Sequence, residues 1–457
     1  MRSTRSRKKK RKLTFLTFLT ILFVLGAAFA VYRFMDLDNK SVANMVDSEK
    51  TVEDKKTDND MDNVDSSNGN EEDIKEETDN QDKEEDKDKE QPVTSNPQQS
   101  SLEEKVSSLM KSMTLEEKIG QMLIVGFESP EPNDHIKKMI NDYHVGGVIF
   151  YDRNMQYPAQ VTNLTNSLQA LAAQQEHQIP LSISVDQEGG QIVRMREHVS
   201  DIPSQQQLGQ MGNSETIFNT AVKTAKELSA MGINLNFAPV LDLSAGDSRS
   251  FGEDPEHASK YGNEVIKGLN EGGVTATVKH FPGNGRSNID PHKDTSSVDA
   301  GQLDLENSDI YPFKKAIQEI DNSKFFVMVT HIKYPAYDQE NPASISPVII
   351  QDLLREKLGF EGIVVTDDLE MGAVNNYYTP EDLGFKAVEA GADVLLVCHT
   401  LDNQQKVFNG ILEAVKSGKL SEKRIDEAVK RVLTYKFQSI KSIEANPDEA
   451  ERLVGVN

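Results

Sequence analysis

The chain has 457 residues, of which 37% are hydrophobic, and carries 50 basic against 74 acidic side chains for a formal charge of −24. That balance excludes a duplex nucleic-acid binder, which needs positive charge clustered on its folded part. A single cysteine, Cys398, excludes a disulfide framework and a cysteine metal cluster.

Residues 1–12 are a basic tail, and RSTRSRKKKRK within it imitates a nuclear or nucleic-acid signal. The segment next to it gives it a different meaning. Residues 13–32, LTFLTFLTILFVLGAAFAVY, carry no charge and match the ~20 residues that cross a hydrocarbon core. A basic block directly before such a run predicts an amino end in the cytoplasm and the remainder outside. Ala28-Phe29-Ala30 offers a small-x-small cleavage site, which would make the product secreted. Because the apolar run is longer than the core of a signal peptide, the expectation is an uncleaved, single-pass anchor in the cell membrane. Residues 33–101 are predicted to be a disordered acidic linker. Between residues 41 and 90 there are 20 acidic and 7 basic side chains and no aromatic one, so this stretch cannot bury enough apolar area to offset the entropy of ordering it. Its expected effect is to hold the folded part away from the membrane.

From Leu102 to residue 457 the pattern alternates between strand and helix. Strands are predicted at Met122 to Phe127, Gly147 to Tyr151, Leu181 to Asp186, Asn234 to Leu243, Val274 to Phe281, Phe325 to His331, Gly362 to Asp368 and Ala392 to Cys398. Helical period separates them, at Pro158 to Glu176, Glu215 to Met231, Pro255 to Asn270, Leu305 to Ile320 and Pro347 to Leu358. Eight strands joined by crossover helices predict an α/β fold, a (β/α)8 TIM barrel over 102–457, and a monomeric domain is expected. Residues Asp402 to Ile440 are helical beyond what barrel closure requires.

Such a barrel keeps its chemistry at the carboxyl ends of its strands. There the sequence places Asp186, Asp242, Lys279 with His280, His331, Asp367 with Asp368, and His399. Asp242 and His399 read as structural hydrogen bonders. The others form a ring that is difficult to explain as core. TDD at 366–368 follows an apolar strand, and a carboxylate there can attack an anomeric carbon or stabilise an oxocarbenium ion; Asp368 could equally cap a helix. Asp186, in VDQEGGQIVR, suits sugar hydroxyls, and Arg194 and Arg249 can donate to a hydroxyl, an acyl oxygen or a carboxylate, or simply form ion pairs. Beyond the turn Pro282-Gly283-Asn284-Gly285, Asp290 and His292 stand two apart. A carboxylate beside an imidazole selects its tautomer and makes a proton shuttle. His280, Asp290 and His292 lack a metal-ligand spacing, PGNG lacks that of a phosphate loop, and no metal or cofactor is expected.

DQEGGQIVR, SRSFGEDP, VKHFPGNG, the D-x-H at Asp290 and His292, VMVTHIKYPA and VVTDDLEMGAV, in this order, resemble glycoside hydrolase family 3 in its bacterial β-N-acetylhexosaminidase branch. The resemblance covers nearly everything from Leu102 onward. It implies a retaining mechanism with Asp367 as nucleophile and His292 as general acid/base, tuned by Asp290 on a mobile loop. It also implies that Asp186, Arg194, Arg249, Lys279 and His280 hold an N-acetylglucosamine ring. Asn284 stands where the commoner form KHFPGHG has histidine, and Pro291 where serine often separates the pair. The expected partner is a carbohydrate containing N-acetylglucosamine, with cell-wall fragments suggested by family and location together. Three other readings stay open: a phosphorylase, since a histidine acid/base does not repel phosphate, a non-catalytic wall-binding module on a tether, and a hydrolase for unsubstituted glucosides.

Overall fold

The computed structural model describes residues 97–287 and 289–456. Eight parallel strands close a barrel: β1 (Leu123–Val125), β2 (Gly147–Phe150), β3 (Ser182–Val185), β4 (Leu235–Asn236), β5 (Thr275–Phe281), β6 (Phe325–Val329), β9 (Val364–Asp368) and β10 (Val394–Val397). The strands run in sequence order around the barrel, and β1 pairs with β10 through Leu123↔Leu395 and Ile124↔Leu396 to close it. Between β6 and β9 a two-stranded antiparallel insert, β7 (Lys333–Tyr334) and β8 (Asp338–Pro342), stands outside the barrel. All eight predicted barrel strands are present.

Strand alternation sorts the core into two layers. Ile124, Ile149, Leu235, Phe326, Met328, Ile363, Val365, Val394 and Leu396 form one cluster, inside the barrel. Their neighbours Leu123, Val125, Val148, Phe150, Phe325, Val327, Val329, Val364, Leu395 and Val397 belong to a second cluster, packed beneath the helices. The helix Glu422–Ser439 accounts for the extra helical sequence at the carboxyl end. It sends Val432 and Tyr435 into the inner cluster, where the Tyr435 ring meets Phe326 edge-on at 4.7 Å. This helix plugs the amino-terminal end of the barrel. Buried Asp393, just before β10, fastens it there: one carboxylate oxygen pairs with Arg424 at 2.9 Å and Arg431 at 3.1 Å, the other with Arg355 at 2.6 Å.

Three predicted boundaries need correction. A helix, Pro97–Ser112, begins inside the stretch assigned to the linker; Val106 is buried and Lys105 lies 3.9 Å over the Phe437 ring, so packing on Glu422–Ser439 supplies the burial that the acidic segment lacks. The fourth strand is far shorter than Asn234 to Leu243, because Pro239 has no N–H to give the ladder. The helix expected over Leu305 to Ile320 is two, Gln302–Asn307 and Tyr311–Glu319, the second opened by Pro312. Among the described residues no helix is long and apolar enough to cross a membrane; the predicted anchor at 13–32, and the linker up to residue 96, lie outside the described residues.

Lys436, 1% exposed, donates to Gln121 Oε1 at 2.7 Å, and burial holds its pKa down to about 7. An amine with a lower pKa folded than unfolded costs stability when protonated, and that loss is relieved as pH rises from about 7 to about 10. Lys436→Met is therefore expected to stabilise the fold at pH 7 by roughly 1–3 kcal/mol and to reduce the rise of Tm across that pH interval. Thermal melts of both proteins at several pH values check it; parallel Tm curves would contradict it.

Candidate active site

Carboxyl ends of β3, β5 and β9 converge on one opening. Inward alternation on β5 runs through Thr275 and Thr277 to Lys279. An ordinary strand would then turn His280 away. Here β5 carries one residue more than β6 between Val278 and Phe281, a bulge of the kind that re-aims side chains beside active sites, and both Lys279 and His280 serve the opening. The same device recurs on β9, which has one extra residue against β10 between Val365 and Asp368.

Lys279, 3% exposed, is the hub. Its Nζ donates to Asp186 Oδ1 at 2.8 Å and pairs with Glu188 Oε1 at 2.6 Å. Burial would lower its pKa, but Asp186 and Glu188 raise it above the ordinary value, so the ammonium stays charged. Glu188 also receives Arg249 in a two-pronged contact, Nε to Oε2 at 2.7 Å and Nη2 to Oε1 at 2.9 Å. Burial pushes the Glu188 carboxyl up; Lys279 and Arg249 overcome this and bring it to about 2. On the other side Arg194 reaches Asp186 Oδ2 at 3.6 Å and Asp152 Oδ2 at 3.1 Å, with its guanidinium 5.2 Å from the Tyr151 ring. Asp186, Arg194, Arg249 and Lys279 are thus gathered into one network of ion pairs.

His280 belongs to a second group. Its Nδ1 donates to Asp242 Oδ2 at 2.6 Å, while Asp242 Oδ1 accepts from the backbone of His280 and of Asn284. Asp242 is the satisfied hydrogen bonder expected of it, and it leaves Nε2 as the remaining polar atom of the imidazole. His399, also read as structural, pairs with Asp368 Oδ2 at 3.2 Å on the rim.

Asp367 is part-buried and accepts from the backbone N–H of Asp368 at 2.9 Å. Burial would raise its pKa, yet the neighbouring imidazoles of His280 and His331, that N–H and the Lys279 ammonium hold the carboxyl below the usual range. It is an ionised carboxylate. His331, fully buried, has its pKa lowered by burial. Its Nε2 donates to the carbonyl of Asp368 at 2.9 Å and its Nδ1 accepts from the Ser344 hydroxyl at 2.7 Å. A neutral ring so held steadies the backbone beside Asp367.

Asp290 and His292 pair with each other, Oδ1 to Nδ1 at 2.8 Å, which leaves Nε2 for proton exchange. The structure does not join them to the Lys279 network: among the described residues no hydrogen bond links them to Asp367, and the His292 side chain is 70% exposed. Their carboxylate is lowered first by the hydrogen bond to His292. Among the described residues no group of three or more His, Cys, Asp or Glu is arranged to hold a metal ion. Glu188 is the site residue that the sequence pattern alone does not single out. Its position two after Asp186, in DQEGG, is the available signal.

Residues 114–435 match the model of the glycosyl hydrolase family 3 N terminal domain. The chain is 30% identical over 361 residues to Beta-hexosaminidase A of Pseudoalteromonas piscicida, covering 70% of this chain and 60% of that protein. It is 34% identical over 299 residues to the Beta-hexosaminidase of Nitrosomonas eutropha, covering 62% and 83%. A glycoside hydrolase family 3 beta-N-acetylglucosaminidase from Paenibacillus sp. str. FPU-7 superposes with a TM-score of 0.70 at 39% identity, over 72% of this chain and 64% of that one. The chain therefore spans less than two thirds of the Pseudoalteromonas and Paenibacillus proteins.

Removing one partner of a buried ion pair strands the other. Glu188→Gln is expected to cost about 3 kcal/mol in urea unfolding at neutral pH. A carboxyl depressed to about 2 from its ordinary 4.5 contributes stability that is complete above about pH 4.5 and lost as pH falls toward 2. The difference between the two proteins should therefore narrow in acid; a constant difference would contradict the assignment.

Proposed function

The chain belongs to glycosyl hydrolase family 3, and on that premise we propose that it is a retaining exo-β-N-acetylglucosaminidase, a β-N-acetylhexosaminidase that removes terminal β-linked N-acetylglucosamine. The observation that carries this reading is the ionised Asp367 beside buried imidazoles at the mouth of the barrel, next to a lysine and arginine network suited to sugar hydroxyls and an acyl oxygen.

In the proposed first half-reaction, an Asp367 oxygen bonds to the anomeric carbon as the glycosidic carbon–oxygen bond breaks, and His292 Nε2 gives its proton to the departing oxygen. The product is a glycosyl-aspartate ester. In the second, His292 takes a proton from water, whose oxygen attacks the same carbon and releases Asp367 as carboxylate. Two inversions retain configuration, and the proton balance closes on His292. Asp290, accepting from Nδ1, holds the tautomer and stabilises the imidazolium. Asp186, Arg194, Arg249, Lys279 and His280 bind the sugar ring. The relatives' names support the N-acetylhexosaminide substrate. The uncharged run at 13–32 and the acidic stretch behind it support a membrane-anchored enzyme outside the cytoplasm, with wall fragments as its glycan and peptidoglycan turnover as its setting.

Asp367→Asn should abolish turnover of an aryl N-acetyl-β-glucosaminide with little change in Tm; retained turnover would sink the nucleophile assignment. Digesting N-acetylglucosamine-containing wall fragments with the full chain, with and without phosphate, should release the free sugar in both cases. Sugar 1-phosphate as the main product would establish a phosphorylase instead, and no turnover of either substrate a binding module.

A further inference from the structure

The His292 ring is mostly in water, and its one side-chain partner among the described residues is Asp290, on the same loop. Something else must decide where the ring stands, and the backbone supplies it. Immediately after β9 the chain turns, with Met371 N–H donating to Asp368 O at 3.0 Å, and enters the short helix Gly372–Asn375. Helix-opening N–H groups have no partner within the helix. Here they point into the loop: Gly372 N–H donates to the carbonyl of His292 at 3.2 Å and Ala373 N–H to that of Pro291 at 3.0 Å. Asn376 Nδ2 donates to the carbonyl of Lys293 at 3.2 Å, and the Tyr377 hydroxyl to the carboxylate of Asp294. Four successive loop residues, 291 to 294, are gripped by one segment.

The fit is tight at a single position. A Cβ on Gly372 would lie 2.5 Å from the Lys293 carbonyl oxygen and 2.9 Å from that of His292, so any side chain there must lift the loop. At its base the loop is closed separately, by Ser287 Oγ to Ser296 Oγ at 2.8 Å and by backbone bonds between 296–298 and Lys333. Displacing the tip therefore does not open the base. From these contacts we propose that Gly372 is a positioning residue, the centre of a clamp over 372–377 that holds the acid/base loop to the strand carrying the nucleophile. The inference rests on the function proposed above. It makes the separation of Asp367 and His292 a property of one short piece of chain rather than of two independent loops.

The test is a double-mutant cycle read as kcat/KM on two substrates, an N-acetyl-β-glucosaminide with an alkyl or sugar leaving group and one with an activated aryl group. Proton donation governs the first and matters little for the second. Gly372→Ala should lower kcat/KM about 10- to 100-fold on the poor leaving group, the scale of an ångström-sized misplacement, and less than about threefold on the aryl substrate. In a His292→Ala background it should add nothing. The double variant Asn376→Ala, Tyr377→Phe should show the same selectivity more weakly, and it carries the test should Gly372→Ala fail to fold. Equal losses on both substrates, a further loss in the His292→Ala background, or wild-type behaviour of the Asn376→Ala, Tyr377→Phe variant would overturn the clamp. A His292→Ala variant with no dependence on leaving group would instead overturn the acid/base role itself and the clamp with it.

Discussion

Everything at the mouth of this barrel depends on the burial of Lys279 between two carboxylates. A lone ammonium at 3% exposure would lose its proton or unfold its surroundings. Asp186 and Glu188 prevent both, and Glu188 extends the pairing to Arg249. The network binds β3, β5 and the loop after β4 into one rigid rim. That rim has an electrostatic consequence for the carboxylate opposite. Asp367 is surrounded by groups that favour its charge, so it can be part-buried and ionised together. Desolvated carboxylates attack carbon better than hydrated ones only if their charge survives the desolvation.

Strand geometry and site chemistry meet at two bulges. Alternation allows a strand to present every second side chain to the barrel interior, which would separate Lys279 from His280 and Asp367 from Asp368. One extra residue on β5 and another on β9 relax that rule just where the apolar pattern ends. The two strands flank β6, whose continuation supplies His331 as a brace for the Asp368 carbonyl. The polar pairs are thus concentrated on three adjacent strands, and the opposite end of the barrel is left to Tyr435, Val432 and the Asp393–arginine cluster, which only need to seal.

The order of strands and the ring of polar residues at their ends are legible because both come from local pattern: the strand-like runs stop at Asp186, Lys279 and Asp367. The two bulges are not, since a register shift is a relation between strands and leaves no mark on either one alone. Glu188 escapes notice for a related reason. Its partners, Lys279 and Arg249, are far away in the chain, and a glutamate next to Gly189-Gly190 looks like a solvated loop residue until the pairing is seen. The helix from Pro97 is hidden in the same way, its stabilisation lying in contacts with Glu422–Ser439 and not in its own polar sequence. Asp290 and His292 are legible as a pair by spacing, but the segment that holds them, 372–377, lies far along the chain.

The two groups of the proposed mechanism, Asp367 and His292, occupy opposite environments, and the proposed reaction accounts for the difference. A nucleophile needs a fixed approach to carbon and little water; Asp367 stands part-buried at the bulged end of β9, near His280 and His331. An acid/base must be recharged between half-reactions, losing a proton to the leaving group and taking one from water. The exposure of His292 suits the proposed exchange, and its Asp290 partner stands on the same loop. A histidine built into the rim as firmly as His331 would have its pKa lowered by burial and both ring nitrogens occupied, and so could do neither task. In the proposed reaction the proton shuttle is an imidazole that the fold leaves in solvent, and holding its backbone rather than its ring places it without burying it.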